Sequence, residues 1–197
     1  MADSVRLALS ISGLILIGLL SLWIIVPMLA GSPWVPNAPR RIRRALTLAQ
    51  AAPGEKVYDL GAGDGRALLI AAREFGAQAT GVEIEPLHCA MIWIRAQLTG
   101  LGRRVSVRWE SFYQTSLANA DVVLVYLTAP QVKRLKPYLK EKMKPGARLV
   151  SIGADFDGWQ PDAVDKEALI FLYRMPPKAG GLASYLAQRA AEGEVNG

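Results

Sequence analysis

The 197-residue sequence predicts a doubly wound α/β domain preceded by one long apolar helix. Three observations carry this. From residue 57 on, short apolar runs of strand length alternate with amphipathic stretches of helix length. A glycine-rich turn, Gly61-Ala62-Gly63-Asp64-Gly65, lies where the first run gives way to the first helix. Ahead of both, the 24 residues from Leu7 to Ala30 contain no charged side chain.

The apolar stretch exceeds the ~20 residues a helix needs to cross ~30 Å of hydrocarbon, so a transmembrane helix over residues 5–30 is expected. A signal peptide would have a shorter apolar core, although Leu29-Ala30-Gly31-Ser32 imitates a cleavage site. Trp23 and Trp34 stand near one end, where indole rings favour the interface, and Pro27 marks the last turn. Four arginines, Arg40, Arg41, Arg43 and Arg44, follow the stretch, whereas only Arg6 and the amino terminus precede it. By the positive-inside rule the C-terminal domain is expected on the cytoplasmic side, or the matrix side in an organelle.

Residues 31–51 should form an extended linker with three prolines, Gly31 to Pro39, and then an amphipathic helix from Arg40 to Ala51. Residues 52–175 are expected to form the main α/β domain. Its strands are expected at 57–60, 79–83, 105–109, 122–126, 148–152 and 169–173, with helices at 67–75, 87–98 and 131–143. Such alternation implies right-handed crossovers and a mostly parallel sheet. Residues 151–168 leave little room for a crossover helix, so the sheet is expected to lack one late element. Residues 176–197 read as a tail with a short helix at 182–190.

The formal charge of +6 suggests nucleic acid, but the bunching of arginines behind an apolar run suits a membrane better, and no nucleic acid partner is expected. Cys89 and His88 are the only cysteine and histidine. An internal disulfide, a cysteine zinc cluster and multi-histidine metal sites are thereby excluded, and no metal is expected. His88 reads as a packing or surface residue, Cys89 as a core thiol and Glu85 as a helix-start acid.

The chemistry concentrates at the glycine turn. Its spacing is Gly-x-Gly-x-Gly rather than the dinucleotide pattern, and Asp59 and Asp64 bracket it. Two carboxylates would repel a pyrophosphate but suit a cationic sulfonium with an α-amino group, which points to S-adenosylmethionine. The expected cofactor residues are Asp59, Gly61, Ala62, Gly63, Asp64 and Gly65. Glu83, about 20 residues on at the end of the second strand, is placed to accept ribose hydroxyls, with Ile84 beside it. Glu110 could accept the adenine amino group, and Ser111 offers a backbone N–H.

These motifs, Tyr58-Asp-Leu-Gly-Ala-Gly-Asp-Gly-Arg66 and Gly81-Val-Glu-Ile-Glu-Pro86 ahead of Asp121-Val-Val-Leu-Val-Tyr-Leu127, resemble those of class I methyltransferases, a Rossmann-like family. Residues 10 to 175 resemble, more narrowly, the membrane-anchored protein-lysine methyltransferases whose mitochondrial members modify the adenine nucleotide translocase and the ATP synthase c-subunit. That family carries a pre-domain motif Val-Pro-x-x-Pro-Arg, here Val35-Pro36-Asn37-Ala38-Pro39-Arg40. Glu110-Ser111 stands where the family usually has Ser-Asp. The resemblance implies that the Trp34 to Arg40 segment, with Pro36, folds over the cofactor, and that the substrate is a lysine of a membrane or membrane-proximal protein.

Methyl transfer is an in-line displacement that requires a positioned nucleophile and a site stripped of water. Tyr126, at the end of the fourth strand, is the candidate for orienting the amine, with Thr128 beside it. An Asn-Pro-Pro-Tyr motif typical of adenine or amide methylation is missing there. A lipid head group or hydrophobic small molecule is the alternative substrate class, and a non-catalytic cofactor-binding module the alternative to an enzyme.

Overall fold

The computed structural model describes residues 2–29 and 36–195, with side chains described except at 2–4, 8, 19–20, 22–29 and 192–195. Trp34, Val35 and most of the expected Gly31–Pro39 linker lie outside the described residues, as do the side chains of Trp23 and Pro27. The chain divides into two compact units, Met1–Val35 and Pro36–Gly197. In the first, α1 runs from Ala2 to Leu29 as 28 residues of continuous helix, about 42 Å at 1.5 Å per residue. Among the described residues, no helix is long and apolar enough to cross a membrane. The expected span over 5–30 therefore has a helix beneath it, while most side chains of its second half lie outside the described set.

The second unit opens with α2 (Pro39–Leu48), started by a proline whose missing N–H costs nothing in a first turn. Strands β1 (Lys56–Leu60), β2 (Gln78–Glu83), β3 (Val105–Trp109), β4 (Val122–Val125) and β5 (Arg148–Ile152) are mutually parallel. Helices α3 (Arg66–Glu74), α4 (Pro86–Leu98) and α5 (Ala129–Lys142) connect them. Then follow β6 (Trp159–Gln160), β7 (Ala163–Asp165), β8 (Ile170–Arg174), β9 (Lys178–Ala179) and α6 (Leu182–Val195). The main sheet has the order β3-β2-β1-β4-β5-β8-β7, with β8 antiparallel to both neighbours, and β6 pairs with β9 apart from it.

The late strand is thus present, which corrects the expectation of a missing element. The missing piece is the helix: among the described residues no helix spans 153–162, and a loop leading into the short strand β6 replaces it. β7, at three residues, is too short for its alternation to show in sequence.

Two apolar layers clamp the sheet. On one face Ile42 and Leu46 of α2, Leu68 and Ala71 of α3 and Ile92 and Ala96 of α4 meet Val57, Leu124 and Ile152. On the other, Val132, Leu135 and Leu139 of α5 join Leu117, Phe156, Trp159 and Tyr173. Each fully buried Leu or Ile contributes about 1.5–3 kcal/mol of transfer free energy. Both layers leave the carboxyl ends of β1, β2 and β4 to carry the site.

The four arginines read as a topology signal are largely absorbed by this unit. Arg43 forks onto Glu74, Arg44 bridges Asp165 and Glu167, and Arg41 Nε donates to the Ala168 carbonyl at 2.8 Å. Their bunching has a structural cause in holding α2 to α3 and to the β7–β8 turn.

Candidate active site

The glycine turn hangs from the end of β1. Gly61, Gly63 and Gly65 all have positive φ, 87°, 52° and 74°, a region open to glycine at little cost. Gly65 is also sterically required, since a Cβ there would lie 2.7 Å from Ile92 Cγ1 of α4. The N–H groups of Gly61 and Ala62 donate to the Val82 carbonyl, at 2.9 and 3.2 Å.

Glu83 locks this turn to the end of β2. Its Oε2 accepts the Gly63 N–H at 2.8 Å, and its Oε1 accepts the N–H groups of Ile84 and Glu85 at 2.9 and 3.0 Å. The carboxylate is buried and fixed, with further lone pairs for a ligand hydroxyl.

The two aspartates of the turn, read alike in the sequence, have opposite fates. Asp64 is gripped by Arg66, with Nε to Oδ1 at 2.9 Å and Nη2 to Oδ2 at 2.8 Å, and by Arg95 Nη1 at 3.0 Å. Burial acts to raise its pKa, but the hydrogen bonds and charge of Arg66, with Arg95, hold the carboxyl below the usual range. Asp64 is therefore charge-balanced within the protein, and of the two expected carboxylates Asp59 is the one left to meet a cation. Asp59 has no cationic partner among the described residues. Burial first, then the charges of Glu83 and Asp64, push its pKa up to about 8. A cation entering here would reverse that penalty.

A second unmatched group lies close by. Among buried side-chain nitrogen and oxygen atoms of the described residues, Asn37 Nδ2 alone lacks a hydrogen-bond partner. The Asn37 carbonyl accepts Arg66 Nη1 at 3.0 Å, so the pre-domain segment is tied to the turn through the guanidinium that clamps Asp64. Pro36, one residue earlier, is exposed. A buried carboxyl without a cation, an orphan amide donor and a glycine cradle together fit a zwitterionic, positively charged cofactor such as S-adenosylmethionine. Asp59, Glu83 and the turn's backbone would hold it.

On the adenine side, Ile84 is exposed and Trp109 Nε1 donates to its carbonyl at 2.9 Å. The Glu110 N–H donates to the Glu83 carbonyl at 3.1 Å, which brings β3's end to the same edge. The Glu110 carboxylate accepts the hydroxyl of buried Thr115 at 2.6 Å, and Ser111 Oγ accepts the Tyr113 N–H. Both side chains thus also shape the 110–117 turn.

At the end of β4 the expected pair separates. Tyr126 is partly exposed, with the Arg41 guanidinium 5.8 Å from its ring centroid. A Cβ built on Gly153, after β5, would lie 3.5 Å from Tyr126 Cε2 and 3.7 Å from Arg41 Nη2. Thr128 is instead the first residue of a capping box for α5: its N–H and hydroxyl both donate to Gln131 Oε1 at 2.9 Å. Its hydroxyl thus caps α5, and a part for it beside the amine stays a proposal. Leu127 packs toward Gly61, 3.9 Å from that residue's notional Cβ, so the tyrosine and the glycine turn share one rim. Leu169, exposed with φ +51°, accepts the Gly153 N–H at its carbonyl on the same side.

Arg41, Arg66, Arg95, Asn37 and Leu169 were invisible as site residues in the sequence, because each acts through a partner 29 or more residues away or through backbone strain. Arg66, next to the turn and two residues from Asp64, was the one that adjacency could have flagged. Cys89 donates weakly to the Glu83 carbonyl, and burial raises its thiol pKa, in keeping with a packing role. Glu85 accepts the His88 N–H as the N-cap of α4.

Residues 59–163 match the family described as the ANTKMT methyltransferase domain. A protein-lysine N-methyltransferase of Saccharolobus islandicus is 35% identical over 135 residues, covering 68% of this chain and 84% of that protein. The mouse adenine nucleotide translocase lysine N-methyltransferase is 31% identical over 140 residues, 71% of this chain and 60% of its own length. The crystal structure of an RNA methyltransferase from Salinibacter ruber with S-adenosyl-L-homocysteine superposes with a TM-score of 0.71 at 32% identity, covering 74% of this chain and 97% of that one. The chain belongs to the ANTKMT methyltransferase family and is an S-adenosylmethionine-dependent methyltransferase.

Proposed function

We propose that the protein methylates lysine ε-amines of a protein substrate at a membrane, to which α1 tethers it. The observation that carries the substrate class is the archaeal lysine methyltransferase, of which this chain covers 84%. The animal relatives, of which it spans about 60%, are named for lysines of membrane proteins. The tether rests on the uncharged Leu7–Ala30 sequence and on the continuity of α1. The arginines after α1 also support a cytoplasmic side for the catalytic unit, by the positive-inside rule, even as three of them serve the fold.

The bound cofactor supplies an electrophilic methyl carbon. Asp59, left without a cation by the protein, balances the ligand's positive charge, and Glu83 fixes the turn against which it lies. Tyr126 offers its hydroxyl oxygen to an N–H of the incoming amine. Arg41, stacked on that ring, disfavours a second cation beside it and so favours the neutral, nucleophilic amine. The proton leaves to solvent through the open side of Tyr126 before the amine engages.

A second reading, methylation of RNA, is favoured by the Salinibacter ruber relative and by the net charge of +6. Against it stand the engagement of Arg41, Arg43 and Arg44 within the fold and the Tyr126-Leu127-Thr128 sequence after β4. The test is incubation of native membranes and total RNA with the full-length enzyme and methyl-labelled cofactor. Label in protein, located on lysine ε-nitrogens by mass spectrometry, is expected. Label confined to RNA or to extracted lipid would overturn the lysine reading.

A further inference from the structure

The outward face of α4 has no role in the site and is apolar. Ile92 and Ala96 turn inward, whereas Leu87, Ala90, Trp93, Ile94 and Leu98 turn out. Leu87, Ile94 and Leu98 follow a spacing of seven and four, which aligns them in one stripe. Leu87 is 59% exposed, Trp93 61% and Leu98 82%, and Trp109, 71% exposed, adds a second indole from the neighbouring edge strand β3. Together these side chains form an exposed apolar face of the kind that marks an interaction site.

The charge around this face selects its partner. From Pro86 to Trp109 the sequence has no Asp or Glu and four arginines. Arg95 is turned toward Asp64 and Arg108 lies over Tyr58 on the other face of the sheet, but Arg103 and Arg104 are exposed just beyond the end of α4. Aliphatic side chains with indoles, with two arginines at one end and acids only at the flanking Glu85 and Glu110, are the composition of a face that lies in an anionic lipid interface. A nucleic acid would use the indoles and arginines but gain nothing from Leu87, Ile94 and Leu98.

We infer that the outer face of α4, with Trp109, docks the catalytic unit onto an anionic bilayer surface. The docking is separate from the tether: α1 would hold the chain at the membrane, and α4 would fix which side of the catalytic unit meets it. Of its residues only Trp109, bonded to the Ile84 carbonyl, borders the cofactor edge, and the α4 side chains do not.

The test uses the full chain carrying Cys89→Ser and Leu98→Cys, labelled at residue 98 with an environment-sensitive fluorophore. The chain is reconstituted into phosphatidylcholine vesicles with or without phosphatidylglycerol. With the anionic lipid, a blue-shifted emission quenched by spin-labelled lipid is expected. It should revert to a water-like spectrum at high salt and in Trp93→Glu, with cofactor affinity unchanged by that substitution. A label at Asn119→Cys should stay in water throughout. The inference is overturned by a water-like spectrum in both vesicles, by shielding that is equal in both and grows with protein density, as for self-association, or by shielding that single-stranded RNA produces without vesicles. Alkaline carbonate extraction tests the tether independently: a chain stripped from vesicles refutes the α1 reading and leaves the residue-98 result to be judged by itself.

Discussion

The carboxyl ends of β1–β2 and of β4–β5 both feed the site, and they are built in different ways. At β1–β2, the turn, Glu83 and the Val82 carbonyl are joined by short hydrogen bonds, so the backbone itself is the binding element. At β4–β5, Tyr126 is partly exposed and is set by one guanidinium and one glycine. The half that meets an invariant cofactor is rigid and internally satisfied except for the Asp59 carboxyl and the Asn37 amide. The half that must admit a substrate has few constraints of its own.

The largest expected effect lies on the rigid side. Asp59→Asn removes the buried carboxylate that balances a cationic ligand, and calorimetry should show cofactor affinity falling about 100-fold, or about 2.7 kcal/mol. The same substitution should raise the melting temperature of the cofactor-free protein near pH 8. The folded-state pKa of Asp59, about 8, lies above the unfolded value of 3.8. The folded state therefore holds the proton more tightly, and stability is lost as pH rises between those values. Loss of affinity without that gain in stability would break the link between burial and binding.

Gly65→Ala comes next. With φ at +74° and a Cβ 2.7 Å from Ile92, it should cost about 2 kcal/mol in denaturant unfolding, and a smaller side chain at 92 should recover part of it. On the open side, Tyr126→Phe should lower kcat about tenfold while leaving cofactor affinity intact, the division expected of a group that meets only the substrate. A matching loss of cofactor affinity would show the two edges to be one unit. The smallest effect belongs to Thr128→Val, which removes a helix cap. About 1 kcal/mol of stability should go, with kcat within twofold of the parent, and a collapse of kcat would restore Thr128 to the chemistry.

The same contrast explains what the sequence revealed. The glycine turn was legible because positive φ and close backbone approach admit few residues, and Glu83 because strand length fixes where β2 ends. The grip of Arg66 and of Arg95, 31 residues away on α4, on Asp64 and the capping bond of Thr128 were not legible, because each is settled only when turn and helices are assembled. Arg41 was read as a membrane signal, yet it reaches across 127 residues to the Ala168 carbonyl and stacks on Tyr126. The seventh strand escaped notice because β7 is short and is set by pairing with β8 rather than by its own pattern.

The most direct measurement is the affinity for S-adenosylmethionine between pH 5 and 7, where the ligand's α-amino group keeps its charge. Titrations in buffers of different ionisation enthalpy count the protons released. Since Asp59 is protonated in the free protein below about pH 8 and must ionise to balance the sulfonium, affinity should rise close to tenfold per pH unit, with one proton released per ligand bound. In Asp59→Asn both the slope and the proton should vanish. An affinity independent of pH in the parent protein, or the same slope in the variant, would contradict the assignment of Asp59 as the carboxylate that receives the cofactor's charge.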